Sequence, residues 1–176
     1  MMRIKLFVLS ALLSFADPAA ATPDGLDYML GKWNATTTFY AEGAWGEPVE
    51  SRAVVDTHMG GAFIKLSMTV PFPGAAFEFE FFLSYDKFNQ VYRLAFLDDL
   101  NGYLDIYTGQ MQDGILKVDN RNTGTAFPDG KGGHVVGALE FKPTTGGGFS
   151  LFAQTGSHAS AELQPYMRVE FKVVAN

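Results

Sequence analysis

The residues with the chemistry to act as ligands, bases or nucleophiles are few and widely spaced. His58, His134 and His158 show neither the i, i+4 spacing of a helical metal site nor a strand His-x-His pair, so a metal centre is not expected. Ser157-His158 invites a hydrolase reading. No Gly-x-Ser-x-Gly elbow accompanies it, and neighbours on an extended chain point in opposite directions. Asp129-Gly130-Lys131-Gly132-Gly133 has the glycines of a phosphate loop, but no Ser or Thr follows the lysine and no helix follows the turn. Asp119-Asn120-Arg121-Asn122-Thr123-Gly124 resembles a calcium loop only faintly, since Arg121 and Thr123 stand at ligand positions, and Asx turns explain it better. Asp98, Asp99 and Asp105 cluster near one turn and could form a carboxylate pair for acid–base work. The commoner arrangement is solvated acids at a barrel mouth.

Arginine is the residue that clamps a carboxylate bidentately, which directs attention to Arg52, Arg93 and Arg168. On the last strand, Met167, Val169 and Phe171 claim the inside and send Tyr166 and Arg168 out. Around Arg93, either Val91, Ala95 and Leu97 or Tyr92, Leu94 and Phe96 could face inward. Arg93 is read as a surface residue. No catalytic set emerges, so the catalytic residues are unassigned and the question of an enzyme stays open.

Composition narrows the remaining classes. The chain has 176 residues, 47% hydrophobic and 14% aromatic, with 16 Phe and no cysteine. It is long enough to bury one core without disulfides or a structural metal, and cysteine nucleophiles and zinc ribbons are excluded. The formal charge of -6 repels phosphate backbones, so no nucleic-acid partner is expected.

The chain opens with Arg3 and Lys5, an apolar run Leu6–Phe15 and the small residues Ala19-Ala20-Ala21, which reads as a signal peptide over residues 1–21. The run is shorter than the roughly 20 residues a spanning helix needs, so no integral membrane span is expected in the mature chain. Export without cysteine fits a bacterial periplasmic or secreted protein.

Residues 22–176 then read as one domain. Thr22-Pro23-Asp24, the apolar Leu26, Met29 and Leu30, and the stop at Gly31 predict one short N-terminal helix. Strands are predicted over 33–41, 49–57, 62–70, 77–85, 91–98, 102–109, 114–120, 134–141, 148–155 and 165–174, separated by turn pairs such as Glu42-Gly43 and Asp113-Gly114. About ten short strands in sequence order predict an up-and-down antiparallel meander, which hides its apolar face and its edges by closing. The alternation sets the phase. Ile64, Leu66, Met68 and Val70, then Phe77, Phe79 and Phe81, Val135, Leu139 and Phe141, and Met167, Val169, Phe171 and Val173 should face the interior. Polar partners then face water, opposite to an outer-membrane barrel.

Leu26-Asp27-Tyr28-Met29-Leu30-Gly31-Lys32-Trp33, a short helix running into Gly-x-Trp, resembles the opening of calycin barrels such as lipocalins and fatty-acid-binding proteins, and is similar to nitrobindin barrels. The Ser51-Arg52 strand, Gly60-Gly61-Ala62-Phe63 and Tyr85-Asp86 resemble a bacterial family of exported calycin-like domains of unassigned function. The resemblance implies an all-β, calycin-like (lipocalin-like) barrel in which Gly31 lets the chain turn closely and Trp33 plugs the closed end. A nitrobindin-like haem site would use His158 as axial ligand, but Asn34-Ala35-Thr36-Thr37-Thr38 replaces the glycine pattern that follows the tryptophan in that family.

The expectation is an exported barrel holding a hydrophobic small molecule in an apolar lumen and needing no cofactor. Trp33, Met68, Phe79, Phe81, Phe96 and Phe171 would line the lumen or plug its end. The alternative is a cofactor-free isomerase or cyclase using the same cavity, and after it the haem barrel.

Overall fold

The computed structural model describes residues 23, 25–72, 75–100, 102–129, 132–157 and 162–174. Among the described residues eleven strands form: β1 (Gly31–Ala41), β2 (Ala44–Trp45), β3 (Val49–His58), β4 (Phe63–Phe72), β5 (Ala75–Asp86), β6 (Val91–Asp98), β7 (Tyr103–Gln112), β8 (Ile115–Asp119), β9 (Val135–Pro143), β10 (Phe149–Ser157) and β11 (Gln164–Val173). Apart from β2, each pairs antiparallel with its neighbours in sequence, and β11 returns to pair with β1. The result is an all-β, up-and-down barrel of ten strands closed on itself. Its seam is continuous, running from Trp33 opposite Val173 to Phe39 opposite Met167.

The predicted strands hold to within a few residues because period-2 alternation is strong where one face is buried and the other is wet. Ile64, Leu66, Val70, Phe79, Phe81, Phe141, Val169 and Phe171 are all buried, whereas Lys65, Glu80, Lys142, Arg168 and Glu170 lie outside. Tight hairpins supply the registers. At Asp113-Gly114 both residues have positive φ, the conformation that matches strand twist in a two-residue turn. Val173 departs from the expected inward set, because it lies at the end of β11 beyond the last packed layer and is exposed.

The expected N-terminal helix is not formed. Asp27–Met29 is one 3-10 turn, held by Met29 N–H to the Leu26 carbonyl and Leu30 N–H to the Asp27 carbonyl. Only five residues separate Gly25 and Gly31, both at positive φ, and a segment that short cannot repay helix nucleation. β2 was also not anticipated. It folds back on β1 and lays Trp45 outside the barrel, where the ring meets Tyr40 at 5.2 Å and Arg168 sits 4.5 Å above it.

One end of the barrel is sealed by the turn. Leu26 and Met29 are fully buried, and the Trp33 indole N–H donates to the Met29 carbonyl at 2.8 Å. Phe149 meets the Trp33 ring edge-on at 5.2 Å and stacks on Phe171 at 4.1 Å and 9°. Trp33 is thus buried beneath the turn at this end of the barrel. Phe149→Ala should cost about 3–5 kcal/mol, because its cavity would open among fully buried rings at this end. Chemical denaturation measures this, and a cost below about 1 kcal/mol would show that this end is not the packed one.

Candidate functional site

The opposite half of the barrel is not filled. A cavity of about 600 Å³ lies there, walled by Phe77, Phe79 and Phe81 of β5, Phe96 and Asp98 of β6, Tyr103 and Tyr107 of β7, Val135, Gly137 and Leu139 of β9, Ala153 and Gln154 of β10, and Tyr166 and Met167 of β11. Leu100, Phe127 and Pro128 come from the connecting loops at its rim. The aromatic wall is continuous: Phe79 meets Phe77 at 5.6 Å, Phe81 at 5.2 Å and Phe96 at 6.0 Å, and Phe81 meets Phe141 edge-on at 5.9 Å below. Offset and edge contacts of this kind hold the rings in place along the cavity wall.

One wall carries the polar groups. On β7 the phase is opposite to that of most strands: Tyr103, Asp105 and Tyr107 point inward, and Leu104 faces out. Asp105 is 0% exposed, which overturns its reading as a solvated acid. Its carboxylate accepts from Asn120 Nδ2 at 2.6 Å, from Thr125 Oγ1 at 2.5 Å and from the Ile106 N–H at 2.8 Å. Asn120, also buried, accepts the Gly137 N–H at 2.9 Å through its own Oδ1. These charge-assisted bonds are what make a buried carboxylate tolerable. No ion pair among the described residues involves it.

The two tyrosines lean on this carboxylate. The Tyr103 hydroxyl donates to the Thr125 carbonyl at 2.8 Å, and burial together with the Asp105 charge pushes its pKa up to about 12. Tyr107 is more deeply buried and shifted further upward by burial, by the Asp105 charge and by its hydrogen bond to that carboxylate. Gly137 makes room for it: a Cβ there would stand 2.6 Å from the Tyr107 hydroxyl. Asn120, Tyr103 and Tyr107 are the polar residues that sequence reasoning did not place in the site. The available signal was the regular spacing of Tyr103, Asp105 and Tyr107, two apart on one strand.

The expected ligand residues divide. Phe79, Phe81 and Phe96 line the cavity; Trp33 and Phe171 belong to the sealed end; Met68 is buried on β4 beside a shallow recess that also touches Arg52 and Glu80. Tyr92, Leu94 and Phe96 are the inward set of β6. Arg93 faces out, 2.9 Å from Asp86, whose carboxyl is held down to about 2 by hydrogen bonds from Asn89 and Arg93. Tyr166 is only partly outside. The β10–β11 register shifts between Ala153 and Gln154, pairing Gln154 with Pro165 and leaving Tyr166 on a bulge, so that its 49% exposed ring borders the rim. His58 is exposed beside Phe82, and His134 is exposed next to the Pro128 bridge. His158, the assigned haem ligand, lies outside the described residues, as do Gly130 and Lys131 of the glycine turn. The Asx reading of the 119–124 turn holds, with the Arg121 N–H donating to Asp119 at 3.0 Å. Among the described residues, no group of three or more His, Asp or Glu could hold a metal ion, and no helix is long and apolar enough to cross a membrane.

A ten-stranded antiparallel barrel with one sealed end and a partly hollow, aromatic interior is thereby defined. The chain belongs to the family described as protein of unknown function (DUF1579), whose signature matches residues 22–144. No curated protein matches the chain. Among solved structures it is similar in fold to Rv2717c from M. tuberculosis, with a TM-score of 0.58 and 15% identity over 88% of this chain and 99% of that one.

Tyr28 at the sealed end is likewise pushed up to about 12, by burial and by Tyr92. A phenol whose pKa is raised by folding contributes stability that is fully present below the unfolded value near 10 and is lost as pH climbs through the folded value. Stability should therefore fall between about pH 10 and pH 12, and spectrophotometric titration of the native protein should show Tyr28, Tyr103 and Tyr107 ionising late. Ionisation of all seven tyrosines near pH 10 without unfolding would contradict the buried placement.

Proposed function

We propose that this protein is an exported, calycin-like binding barrel that holds a hydrophobic small molecule in its lumen. The cavity carries the reading: about 600 Å³ of space walled mainly by phenylalanine, with a few fixed polar groups on one side, has the size and composition of a small-molecule site. Leu100 and Phe127 are exposed apolar side chains at its rim, where a ligand passing into the barrel would touch them. The order of strands and the Gly31-x-Trp33 plug support the calycin relationship. Residues 1–21 support export to the periplasm or beyond, with the mature chain beginning near Thr22.

A second reading, a cofactor-free isomerase or cyclase, is favoured by one observation. The lumen holds an acid, Asp98, and the Asp105–Tyr107 pair behind its wall, so a bound molecule would meet groups able to steer a proton. In that case the compound recovered after incubation would differ from the one supplied.

Native mass spectrometry of protein purified from its exported fraction, with solvent extraction of the same sample, tests the first reading. The expected result is a chain beginning near Thr22 that carries an apolar adduct. Phe79→Ala should lose adduct and also cost roughly 3–5 kcal/mol of stability, since its ring borders the cavity yet is almost fully buried among its neighbours. A bare mass, together with no uptake of any apolar compound, would contradict the reading.

A further inference from the structure

Asp98 is the charged residue lining the cavity among the described residues, and its polar neighbours there, Tyr103, Tyr107, Asn120, Gln154 and Thr155, are neutral. The Tyr103 hydroxyl donates to the Thr125 carbonyl, and the Tyr107 hydroxyl is hydrogen-bonded to Asp105. Asn120 spends one amide proton on Asp105 and its oxygen on Gly137. Asp98 adds a carboxylate to the wall, directly opposite Tyr103 in the β6–β7 register and Phe79 in the β5–β6 register. Its charge is felt at the rim, where it contributes to raising the pKa of both Tyr103 and Tyr166. No Lys, Arg or His among the described residues lines the cavity, and Arg52, Arg93 and Arg168 all lie on the outer face. A carboxylate clamp of the kind arginine supplies is therefore missing from this lumen, while the aromatic faces of Phe77, Phe79 and Phe96 stand beside Asp98.

We propose, building on the binding reading above, that the lumen selects an apolar molecule with a cationic, hydrogen-donating head, an alkyl- or arylammonium, and rejects the corresponding carboxylate. The nitrogen would sit at Asp98 near Tyr103, where the carboxylate and phenol oxygens accept its protons and the phenylalanine faces attract its charge. The hydrocarbon would run down the lumen along Phe79 and Phe81. Selection then works in both directions: the same carboxylate that attracts an ammonium repels an acid, and no cation among the described lining residues offsets that repulsion.

Isothermal titration with decylamine, decanol and decanoate, at about pH 7 and low salt, reads this directly. The mature protein should bind decylammonium at least about tenfold tighter than decanoate, with decanol between them. Asp98→Asn should bring the amine-to-acid ratio close to one while leaving decanol affinity within a factor of about two. If Asp98→Asn does not fold, the wild-type ratio should instead shrink as salt is raised, because the preference is electrostatic. Decanoate binding as tightly as the amine, or a ratio indifferent to both Asp98→Asn and salt, would overturn the proposal while leaving the binding reading standing, provided decanol binds. Failure of all three probes to bind would overturn both.

Discussion

Everything in this molecule depends on the pairing of β1 with β11. A ten-strand meander left open would present two bare edges and an apolar face with nothing to cover it. The seam from Trp33–Val173 to Phe39–Met167 removes the edges and converts that face into an interior. Because the interior of so wide a barrel exceeds what the inward side chains fill, closure also decides that there is a space to occupy. The turn at Asp27–Met29 then seals one end through the Trp33–Met29 bond and the Phe149–Phe171 stack. The remaining volume lies toward the other end, where the walls are lined by aromatic rings.

The polar wall follows from the same geometry. A closed barrel gives each strand one inward phase, and on β7 that phase carries Tyr103, Asp105 and Tyr107. Burying a carboxylate without a cation is costly, and the structure offsets it with donors drawn from three places: Asn120 beyond β8, Thr125 in the following loop and the β7 backbone itself. That arrangement fixes the 120–125 segment against the barrel and positions the tyrosine hydroxyls at the lumen. The cavity thus combines the Asp98 carboxylate, with no lining cation among the described residues, and a wall whose tyrosines stand where the fold satisfies one buried acid.

The strands and their inward phase were legible wherever hydrophobic and polar residues alternate cleanly, as in Ile64 to Val70 and Phe77 to Phe81. Phe79 and Phe81 lie inward as their alternation with Glu78 and Glu80 requires, whereas on β6 both phases were apolar and only the structure turns Tyr92, Leu94 and Phe96 in. The site's polar half was not legible. Leu104 and Ile106 look like the core set of β7, so hydrophobicity alone points the strand the wrong way and leaves Asp105 in solvent. What turns it over is long-range: Asn120 and Thr125 offer partners only after β8 and its loop fold back. Tyr166 faces out as the alternation has it, but a bulge shifts one register by a residue and brings it to the rim, which no periodicity signals. The helix failed on length, since the two glycines that bound it leave room for one turn only.

The central claim, that closure of the barrel leaves an apolar space able to hold a small molecule, is tested most directly by titrating a neutral, polarity-sensitive dye such as N-phenyl-1-naphthylamine into native protein and into Ala153→Trp, which places an indole in the cavity from β10. The account predicts a blue-shifted, enhanced emission that saturates at one dye per chain in the native protein and is largely lost in Ala153→Trp while the variant stays folded. An emission unchanged by the native protein, or equal in the two proteins, would contradict it.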